Sequence, residues 1–348
     1  RLQWSVPCML VTGHGVMLCS CCVFVEGIGS MMTKATGALA FLASVALLGT
    51  VNAQTVGIGT TKGGATSQVS AGIATVVSKH AGLNMRTQPM AGTQQYIPAV
   101  NAGRLEFGVA NIMQTRWAYT GTSISKGRPN ADLRMVGTLM EFRVGPLVAD
   151  KSPIRSMADL KGKRVPSNFS AAPLFKEFMT GFLANGGLTY KDVQPVPVSS
   201  LVQHWNALTE DKLDVVVGAV GTGYLNLMAK KIGGVRFVDL GDSPKDLKAI
   251  QDFLPGVEIR AVQPGPKLTG VAKPVKVTHF DYMLFAGKGV PDAVVYKVTK
   301  ALYENQKELI AASPLWRSFS PAKMGKDQGM PMHPGAIKFL TEKGAYKR

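Results

Sequence analysis

Cysteine is missing from most of this sequence. Four of the 348 residues are cysteines, and all four lie between Cys8 and Cys22. The chain beyond residue 22 therefore has no thiol for a disulfide, for thiolate ligation of a metal or for nucleophilic attack. Cys19 and Cys22 form a C-x-x-C pair, but they precede a predicted export signal, so we expect them to be absent from the folded product. We predict a protein without metal or cofactor.

Common hydrolase motifs are also missing. The sequence has neither the H-E-x-x-H pattern of zinc proteases nor the G-x-S-x-G pattern of serine hydrolases. Five histidines stand far apart in the chain: His14, His80, His204, His279 and His333. His333 precedes a proline, which is typical of a turn or a helix start. We predict no catalytic residues and no enzymatic activity; the alternative is a secreted hydrolase whose site is assembled from distant residues.

Acidic residues are few relative to basic ones. The chain has 39 lysines and arginines against 22 acidic residues, a formal net charge of +17. Such an excess can attract nucleic acid or a membrane surface. The basic residues are scattered, however, with no run longer than two, as at Lys230-Lys231, and with no basic stripe interleaved with aromatics. We therefore predict no nucleic-acid partner and interpret the charge as a solvated surface that attracts small anions.

The apolar run near the start is too short to cross a bilayer as a helix. It extends over the twelve residues from Ala38 to Gly49, whereas a spanning helix needs about 20. Methionines and a lysine precede the run, and Val51-Asn52-Ala53 follows it, which is the order of parts in a secretory signal peptide. We predict a signal peptide at residues 31–53, cleaved after Ala53, with residues 1–30 a non-native upstream extension. An uncleaved anchor is the alternative.

The stretch from Thr55 to Asn111 contains the strongest local pattern. An apolar strand at Val56–Gly59 leads into a Gly/Thr-rich loop at Thr60–Gly64, and apolar residues then recur at helical spacing from Val69 to Val77. This order directs free backbone N–H groups and the positive end of a helix dipole at one point, where an anion can bind. The alternative is an ordinary turn whose glycines permit positive φ.

Two nucleotide-binding patterns fail in this loop. The dinucleotide fingerprint requires three glycines at fixed offsets; Gly57 and Gly59 supply two, but the third offset falls on Lys62. The P-loop pattern that starts at Gly59 reaches Gly64 and then places Ala65 where a lysine is required. A carboxylate site therefore fits the loop better than a nucleotide site.

Polar residues follow several other predicted strands. Asn111 ends a strand at residues 105–109, at the sheet edge where open α/β sheets bind ligands; a helix N-cap is its alternative role. Residues 213–219 are almost continuously apolar, which predicts a buried parallel strand. Arg143 is the candidate charge partner of an anion through paired hydrogen bonds; a surface arginine is the alternative.

Further local patterns predict single elements. Residues 133–139 and 144–149 are expected as two extended segments on either side of Arg143, and Ala91-Gly92-Thr93 as the start of a helix. Residues 172–184 and 291–311 are each expected as a helix.

Several motifs, in this order along the chain, resemble one receptor family. They are Gly59-Thr60-Thr61 with Gly63-Gly64, Ala102-Gly103-Arg104-Leu105-Glu106-Phe107-Gly108 before Asn111, Asp159-Leu160-Lys161-Gly162-Lys163, Lys212-Leu213-Asp214, Val290-Pro291 with Val295-Tyr296, Ala301-Leu302-Tyr303-Glu304-Asn305, and His333-Pro334-Gly335-Ala336 with Glu342-Lys343-Gly344. Residues 54–348 resemble the TAXI-type solute receptors of tripartite ATP-independent periplasmic (TRAP) transporters. The sequence departs from that family at Ser67-Gln68, where such receptors often have aromatics.

The resemblance implies an α/β fold, the two-lobed type II periplasmic binding protein fold with two crossover hinge segments. It implies a periplasmic receptor that binds a small organic anion, such as a dicarboxylate or an amino acid, and delivers it to a TRAP-type membrane permease. A periplasmic sensor that binds solute and feeds a signalling partner is the alternative function. The two crossings are expected near residues 142–147 and 282–286.

The expected lobes are residues 54–143 plus 283–348 for lobe 1 and residues 144–282 for lobe 2. The Gly-rich loop and the loop at Asn168 should then face each other across one cleft. The predicted ligand-binding residues are Thr60, Thr61, Gly63, Gly64, Thr66, Ser67, Thr93, Asn111, Arg143, Asn168, Ser170, Gly221 and Thr222.

Overall fold

The structure, a computed structural model, describes residues 53–346. The predictions for the upstream extension, for the cysteines and for the signal peptide up to residue 52 lie outside the described residues. Within residues 53–346 no helix is both long and apolar enough to cross a membrane.

Strands and helices alternate through the first part of the described chain. The elements are β1 (Gln54–Thr61), α1 (Gly64–His80), β2 (Leu83–Met90), α2 (Thr93–Asn101), β3 (Phe107–Asn111) and α3 (Ile112–Thr120). The spacing of Val69, Ile73 and Val76 puts these side chains on one helical face, and all three are buried. Lys79 and His80 occupy the last turn of α1, where positive charge is favourable to the helix dipole.

A long strand opens the middle of the chain, and shorter elements follow it. They are β4 (Leu133–Ala149), β5 (Arg164–Asn168), α4 (Leu174–Asn185), β6 (Gln194–Val198), α5 (Leu201–Thr209), β7 (Val216–Ala219), α6 (Gly223–Ile232), β8 (Val235–Phe237), α7 (Pro244–Gln251) and β9 (Glu258–Val262). The last part contains β10 (Val275–Gly287), α8 (Asp292–Glu304), α9 (Gln306–Ala312) and α10 (Pro334–Glu342). His333 is the N-cap of α10, since its Nδ1 accepts a hydrogen bond from the Gly335 N–H at 3.3 Å.

Eight strands form one mixed sheet. Its main order is β2-β1-β3-β10-β4-β7, with β8 paired to β4 and β9 paired to β10. β1 runs parallel to β2 and β3, whereas β10 runs antiparallel to β3, β4 and β9. A second sheet consists of β5 and β6, which are parallel.

The two long strands, β4 and β10, connect the two halves of the large sheet. β4 pairs with β10 along most of its first part and pairs with β7 from Val144 onward. β10 pairs with β9 through His279 and with β3 from Tyr282 onward. The change of partners in β10 therefore lies between His279 and Tyr282, just before the 282–286 segment in which the sequence predicted a crossing.

Three local predictions differ from the structure. Residues 133–139 and 144–149 were expected as two strands but form one continuous β4, because the intervening residues keep their ladder with β10. The apolar strand β7 is buried but antiparallel to β4, so its predicted parallel pairing is wrong. The helix expected over residues 291–311 is broken at Asn305, whose φ of −118° and ψ of 37° are not helical.

Two glycines of the first strand explain the partial nucleotide fingerprint. A Cβ on Gly57 would lie 2.9 Å from Leu105 Cδ2, and one on Gly59 would lie 2.6 Å from Tyr96 Cβ. Both glycines therefore make room for side chains that pack over β1, and Tyr96 is fully buried there. Close packing, and not phosphate binding, accounts for glycine at these two positions.

Candidate functional site

A narrow cavity with a mostly buried lining lies where the N-termini of several helices meet the two long strands. Its volume is about 40 Å³, the scale of a few water molecules. The first part of the chain and β10 contribute one group of lining residues: Thr61, Ala65, Thr66, Gly92, Thr93, Asn111, Gln114 and Tyr282. The middle of the chain contributes the other group: Phe142, Val144, Ala172, Leu174, Phe175, Phe178, Leu201, Trp205, Gly218 and Ala219. We refer to these groups as the polar wall and the aromatic wall.

Two helices begin at the polar wall without a capping side chain. Gly63 is the N-cap of α1 and Gly92 is the N-cap of α2, and neither has a side chain to accept from the first N–H groups. Neither helix has an acidic residue in its first turn. The free N–H groups and the dipoles of α1 and α2 therefore give this wall a positive potential without a charged side chain.

The hydroxyls of Thr66 and Tyr282 share a hydrogen bond at the polar wall. Both side chains are buried, and burial raises the pKa of Tyr282, so its phenol stays protonated at neutral pH. Two hydroxyls carry two protons, and their mutual bond uses only one. The second proton is available to an acceptor in the cavity.

Asn111, Gln114 and Thr93 continue the polar wall. Asn111 Oδ1 accepts from the Gln114 backbone N–H at 2.9 Å and so caps α3. The Gln114 side-chain amide donates to Thr93 Oγ1, which leaves the Thr93 hydroxyl proton free to point elsewhere. The side-chain NH₂ of Asn111 donates no hydrogen bond to any group of residues 53–346. This corner thus offers two more neutral donors.

Aromatic rings form most of the opposite wall. Phe175 and Phe178 lie one turn apart on α4 with ring centroids 5.8 Å apart, in an edge-to-face arrangement. Trp205 on α5 donates its Nε1–H to the Val217 carbonyl at 2.8 Å, so its one polar group is satisfied away from the cavity. Phe142 on β4 lies 4.8 Å from the Tyr282 ring and joins the two walls. The aromatic wall therefore presents apolar surface.

Charged side chains are absent from the cavity lining in the described part of the chain. Lys62, the lysine of the Gly-rich loop, is exposed and does not line the cavity. His204 lies behind the aromatic wall, with its ring 5.1 Å from that of Trp205. Burial lowers the pKa of His204 to about 4, so this imidazole is neutral at pH 7. The lining therefore offers a ligand only neutral groups.

The two walls approach closely because glycine stands at two contact points. A Cβ on Gly92 would lie 2.0 Å from the Ala171 carbonyl oxygen. A Cβ on Gly64 would lie 2.9 Å from the Trp205 ring, and Gly64 also has a φ of +80°, which favours glycine. The structure therefore shows the two sides of the cleft in direct contact.

Four predicted residues line the cavity, namely Thr61, Thr66, Thr93 and Asn111. Four others lie in the same loop and first helical turn without lining it: Thr60, Gly63, Gly64 and Ser67. Thr60 is buried and its Oγ1 has no partner among the described residues. Thr61 Oγ1 donates to the Gly63 carbonyl at 2.7 Å, so it holds the loop and is no longer a donor to a ligand.

The structure does not bring Arg143 to the cavity. Phe142 and Val144 line the cavity, and successive residues of a strand point to opposite faces, so Arg143 points away from it. Its charged neighbours on the other face are Glu141 and Arg317. The groups that could bind an anion in this cavity are therefore the neutral donors of the polar wall, and not Arg143.

The predicted residues of the second half also lie elsewhere. Asn168 and Ser170 line a different groove of about 800 Å³, together with Gln94 and Pro98 of α2. The loop that follows Asn168 faces the Gly-rich side through Ala171 and Ala172 instead.

Gly221 and Thr222 lie outside the cavity lining as well. A Cβ on Gly221 would lie 3.6 Å from Pro314, and the Thr222 hydroxyl donates to the Ala219 carbonyl at 3.0 Å. Both residues therefore shape the start of α6, and not the cavity.

Sequence reasoning missed the whole aromatic wall, together with Gln114 and Tyr282. Phe175 and Phe178 stand three positions apart on a predicted helix, the spacing of an ordinary core face. Trp205 lies on a short amphipathic helix and gives no separate signal. Gly92 was part of the predicted Ala91-Gly92-Thr93 helix start, and its dipeptide Gly92-Thr93 repeats the Gly/Thr composition of the first loop.

Residues 53–346 contain no group of three histidines, cysteines or acids arranged to hold a metal ion.

The model of the NMT1-like family matches residues 58–344 of the chain. A solved structure described as a periplasmic transporter is 16% identical, with a TM-score of 0.54; the match covers 84% of this chain and 94% of that one. The binding protein component of an ABC phosphonate transporter from Pseudomonas aeruginosa is 10% identical, with a TM-score of 0.52; the match covers 84% of this chain and 85% of that one. The predicted two-lobed α/β fold of periplasmic binding proteins is confirmed.

Proposed function

The chain belongs to the NMT1-like family, and from that premise we propose that it is an extracytoplasmic receptor for a small organic anion. The observation that carries the proposal is the narrow cavity between a wall of neutral donors and a wall of aromatic rings. Two uncapped helix N-termini add positive potential at the donor wall. A binding protein needs these features, and an enzyme would in addition need a reactive side chain.

The proposed lobes are residues 54–143 with 283–348 and residues 144–282. Two observations support this division: β4 and β10 change partners between the halves of the sheet, and α8 packs against α1 after the chain returns. Hinge closure would then bring the two walls together over the ligand, with Phe142 and Tyr282 in the crossing segments where the walls join. A ligand that contacts both walls stabilises the closed state and shifts the population toward it.

We propose delivery of the ligand to a TRAP-type permease, because the motif order resembles TAXI-type receptors. One structurally similar protein belongs to an ABC phosphonate transporter, and an ABC permease is therefore the competing partner. Uptake assays with the chain and each class of permease, expressed together in a host without either, would distinguish them. Uptake with the ABC permease alone would overturn the TRAP assignment and leave the receptor function intact.

The receptor is proposed to act in the periplasm after removal of the signal peptide. The intact mass of the periplasmic product should correspond to a chain that starts at Gln54. Peptides from residues 1–30 in that product would contradict this processing.

A thermal-shift screen tests the receptor function directly. Purified protein that starts at Gln54 should be screened with carboxylates, sulfonates, phosphonates and amino acids. Binding to the native state alone raises stability by about 2.7 kcal/mol when the ligand is at 100 times its Kd, so a true ligand gives a clear rise in Tm. The Thr66→Val variant should lose about half to nine-tenths of that stabilisation. A screen in which no anion changes the Tm would contradict the proposal.

A further inference from the structure

The cavity carries information about its ligand because several of its polar groups have a proton to donate. The Thr66 and Tyr282 hydroxyl pair, the Thr93 hydroxyl and the Asn111 amide each have a proton to donate. They lie on one wall, next to the N-termini of α1 and α2. Such a wall suits one group of acceptor oxygens, and it suits an anionic group better than a neutral one.

Acidic side chains are missing from this lining over the whole described range. An α-ammonium group would therefore enter a site with a mostly buried lining and no carboxylate to neutralise it. Burying an unpaired charge is costly, and a protein with such a ligand normally supplies the counter-charge. The lining thus selects against amino acids, although the sequence resemblance includes them among the expected ligands.

A second anionic group on the ligand would also be buried without a partner in this cavity. The wall opposite the donors is formed by Phe142, Phe175, Phe178 and Trp205, with aliphatic side chains between them. The polar atom of Trp205 is already bonded to Val217, and His204 behind it is neutral at pH 7. A dicarboxylate long enough to reach across would place its second charge against apolar rings.

The same rings suit a flat apolar body. Aromatic side chains favour edge-to-face and offset contacts with another ring, and such contacts add to the gain from burial. For such a body to enter a cavity of about 40 Å³, the half-buried ring of Phe175 would have to turn aside. The anionic head would then lie at the donors and the body at the rings.

We propose that the ligand is a monoanion with a flat apolar body and no ammonium group, such as an arylcarboxylate or arylsulfonate. This inference rests on the proposed receptor function and narrows its ligand class. The anionic head accepts hydrogen bonds from Thr66 or Tyr282, from Thr93 and from Asn111. The body packs between Phe175 and Trp205.

Calorimetry with a matched series of compounds tests each part of the inference. Benzoate and benzenesulfonate should bind. L-phenylalanine, which is 3-phenylpropanoate with an added ammonium group, should bind at least about 10-fold more weakly than 3-phenylpropanoate. Terephthalate, which is benzoate with a second carboxylate, should bind at least about 10-fold more weakly than benzoate. Benzamide, which lacks the charge, and acetate, which lacks the body, should also bind at least about 10-fold more weakly. Tighter binding of L-phenylalanine than of 3-phenylpropanoate, or of terephthalate than of benzoate, would overturn the inference.

A pair of variants tests the aromatic wall. Phe175→Leu removes a ring of the wall, and Phe253→Leu removes another half-buried phenylalanine that does not line the cavity. Benzoate affinity should fall about 3- to 10-fold in Phe175→Leu, the scale of one aromatic contact, and should be unchanged in Phe253→Leu. Equal losses in both variants, or no loss in Phe175→Leu, would contradict the placement of the body.

The two screens distinguish a failure of the proposed ligand class from a failure of the proposed receptor function. If dicarboxylates or amino acids raise the Tm and benzoate does not, the receptor function stands and the ligand class proposed here is wrong. If no compound of the series or of the wider anion screen binds, the receptor function fails with it.

Discussion

Replacing Gly92 with alanine should block closure of the cleft without touching a donor group. The ideal Cβ would lie 2.0 Å from the Ala171 carbonyl oxygen, whereas real Cβ contacts stay beyond 3.0 Å. The two backbones must therefore separate by about 1 Å or more. Gly92 has a φ of −168° and a ψ of 169°, an extended conformation that alanine adopts without strain. The substitution therefore destabilises the contact between Gly92 and Ala171, and not the conformation of residue 92 itself.

Overpacking of a close contact costs typically about 1–3 kcal/mol. If this cost applies to the closed state alone, the affinity for an anion should fall by about 5- to 150-fold, since each 1.4 kcal/mol is tenfold. Calorimetry with any anion that binds the wild type measures the change. Small-angle scattering of the variant should show a less compact protein in the presence of the ligand.

Gly63→Ala is the matched control. Gly63 is also the N-cap of a helix with extended backbone, with φ −171° and ψ −177°, but its Cβ would meet Val202 at an ordinary 3.7 Å. Any effect of alanine on the helix start is therefore shared, and only Gly92→Ala carries the clash. Wild-type affinity in Gly92→Ala, or an equal loss in Gly63→Ala, would refute the idea that this contact closes the cleft.

Three further predictions follow from the contacts. Thr66→Val should weaken anion binding by about 10- to 150-fold, because a hydrogen bond to a charged group contributes about 1.5–3 kcal/mol; calorimetry that shows unchanged affinity would remove Thr66 from the site. Arg143→Gln should leave the affinity within about 3-fold of wild type, because the side chain points away from the cavity, and a larger loss would restore the charge partner predicted from the sequence. Hydrogen bonds from His279 and, to a smaller extent, from Arg260 lower the pKa of Glu141 from 4.5 to about 2. Its carboxylate therefore stabilises the native state above pH 4.5, and this stability is lost as the pH falls toward 2. Glu141→Gln should therefore lower stability by about 1–2 kcal/mol at pH 7, a figure reduced because the side chain is 33% exposed, and the gap in Tm should close between pH 4.5 and 2; a constant gap would contradict the ion-pair assignment.

Local sequence patterns predicted many of the elements and the first half of the site. The periodic run from Val69 to Val77 became α1, and the Gly/Thr-rich loop before it became the start of that helix at the cavity. Asn111 ends β3 and caps α3, as both interpretations of that residue allowed. These features depend on residues close together in the chain, whose hydrogen-bonding and dihedral preferences act within a few positions.

The tertiary structure decided what faces the Gly-rich loop. A continuous apolar run such as residues 213–219 predicts burial, but its direction relative to β4 depends on a pairing between distant segments. A shift of one residue moves a strand side chain to the other face, and this is why Phe142 lines the cavity and Arg143 does not.

The aromatic wall was also decided by the tertiary structure, although its helices were visible in the sequence. Phe175, Phe178 and Trp205 have the spacing of core residues on two amphipathic helices, and nothing local distinguishes a core face from a ligand face. Only the approach of Gly92 to Ala171 and of Gly64 to Trp205 turns those faces into one side of a cavity. The sequence by itself determined α1, the glycines of the loop before it and the positions of Thr66, Thr93 and Asn111 at helix starts, because these follow from local chemistry. The neutral, one-sided character of the site was decided by long-range packing, because it depends on which distant surfaces meet.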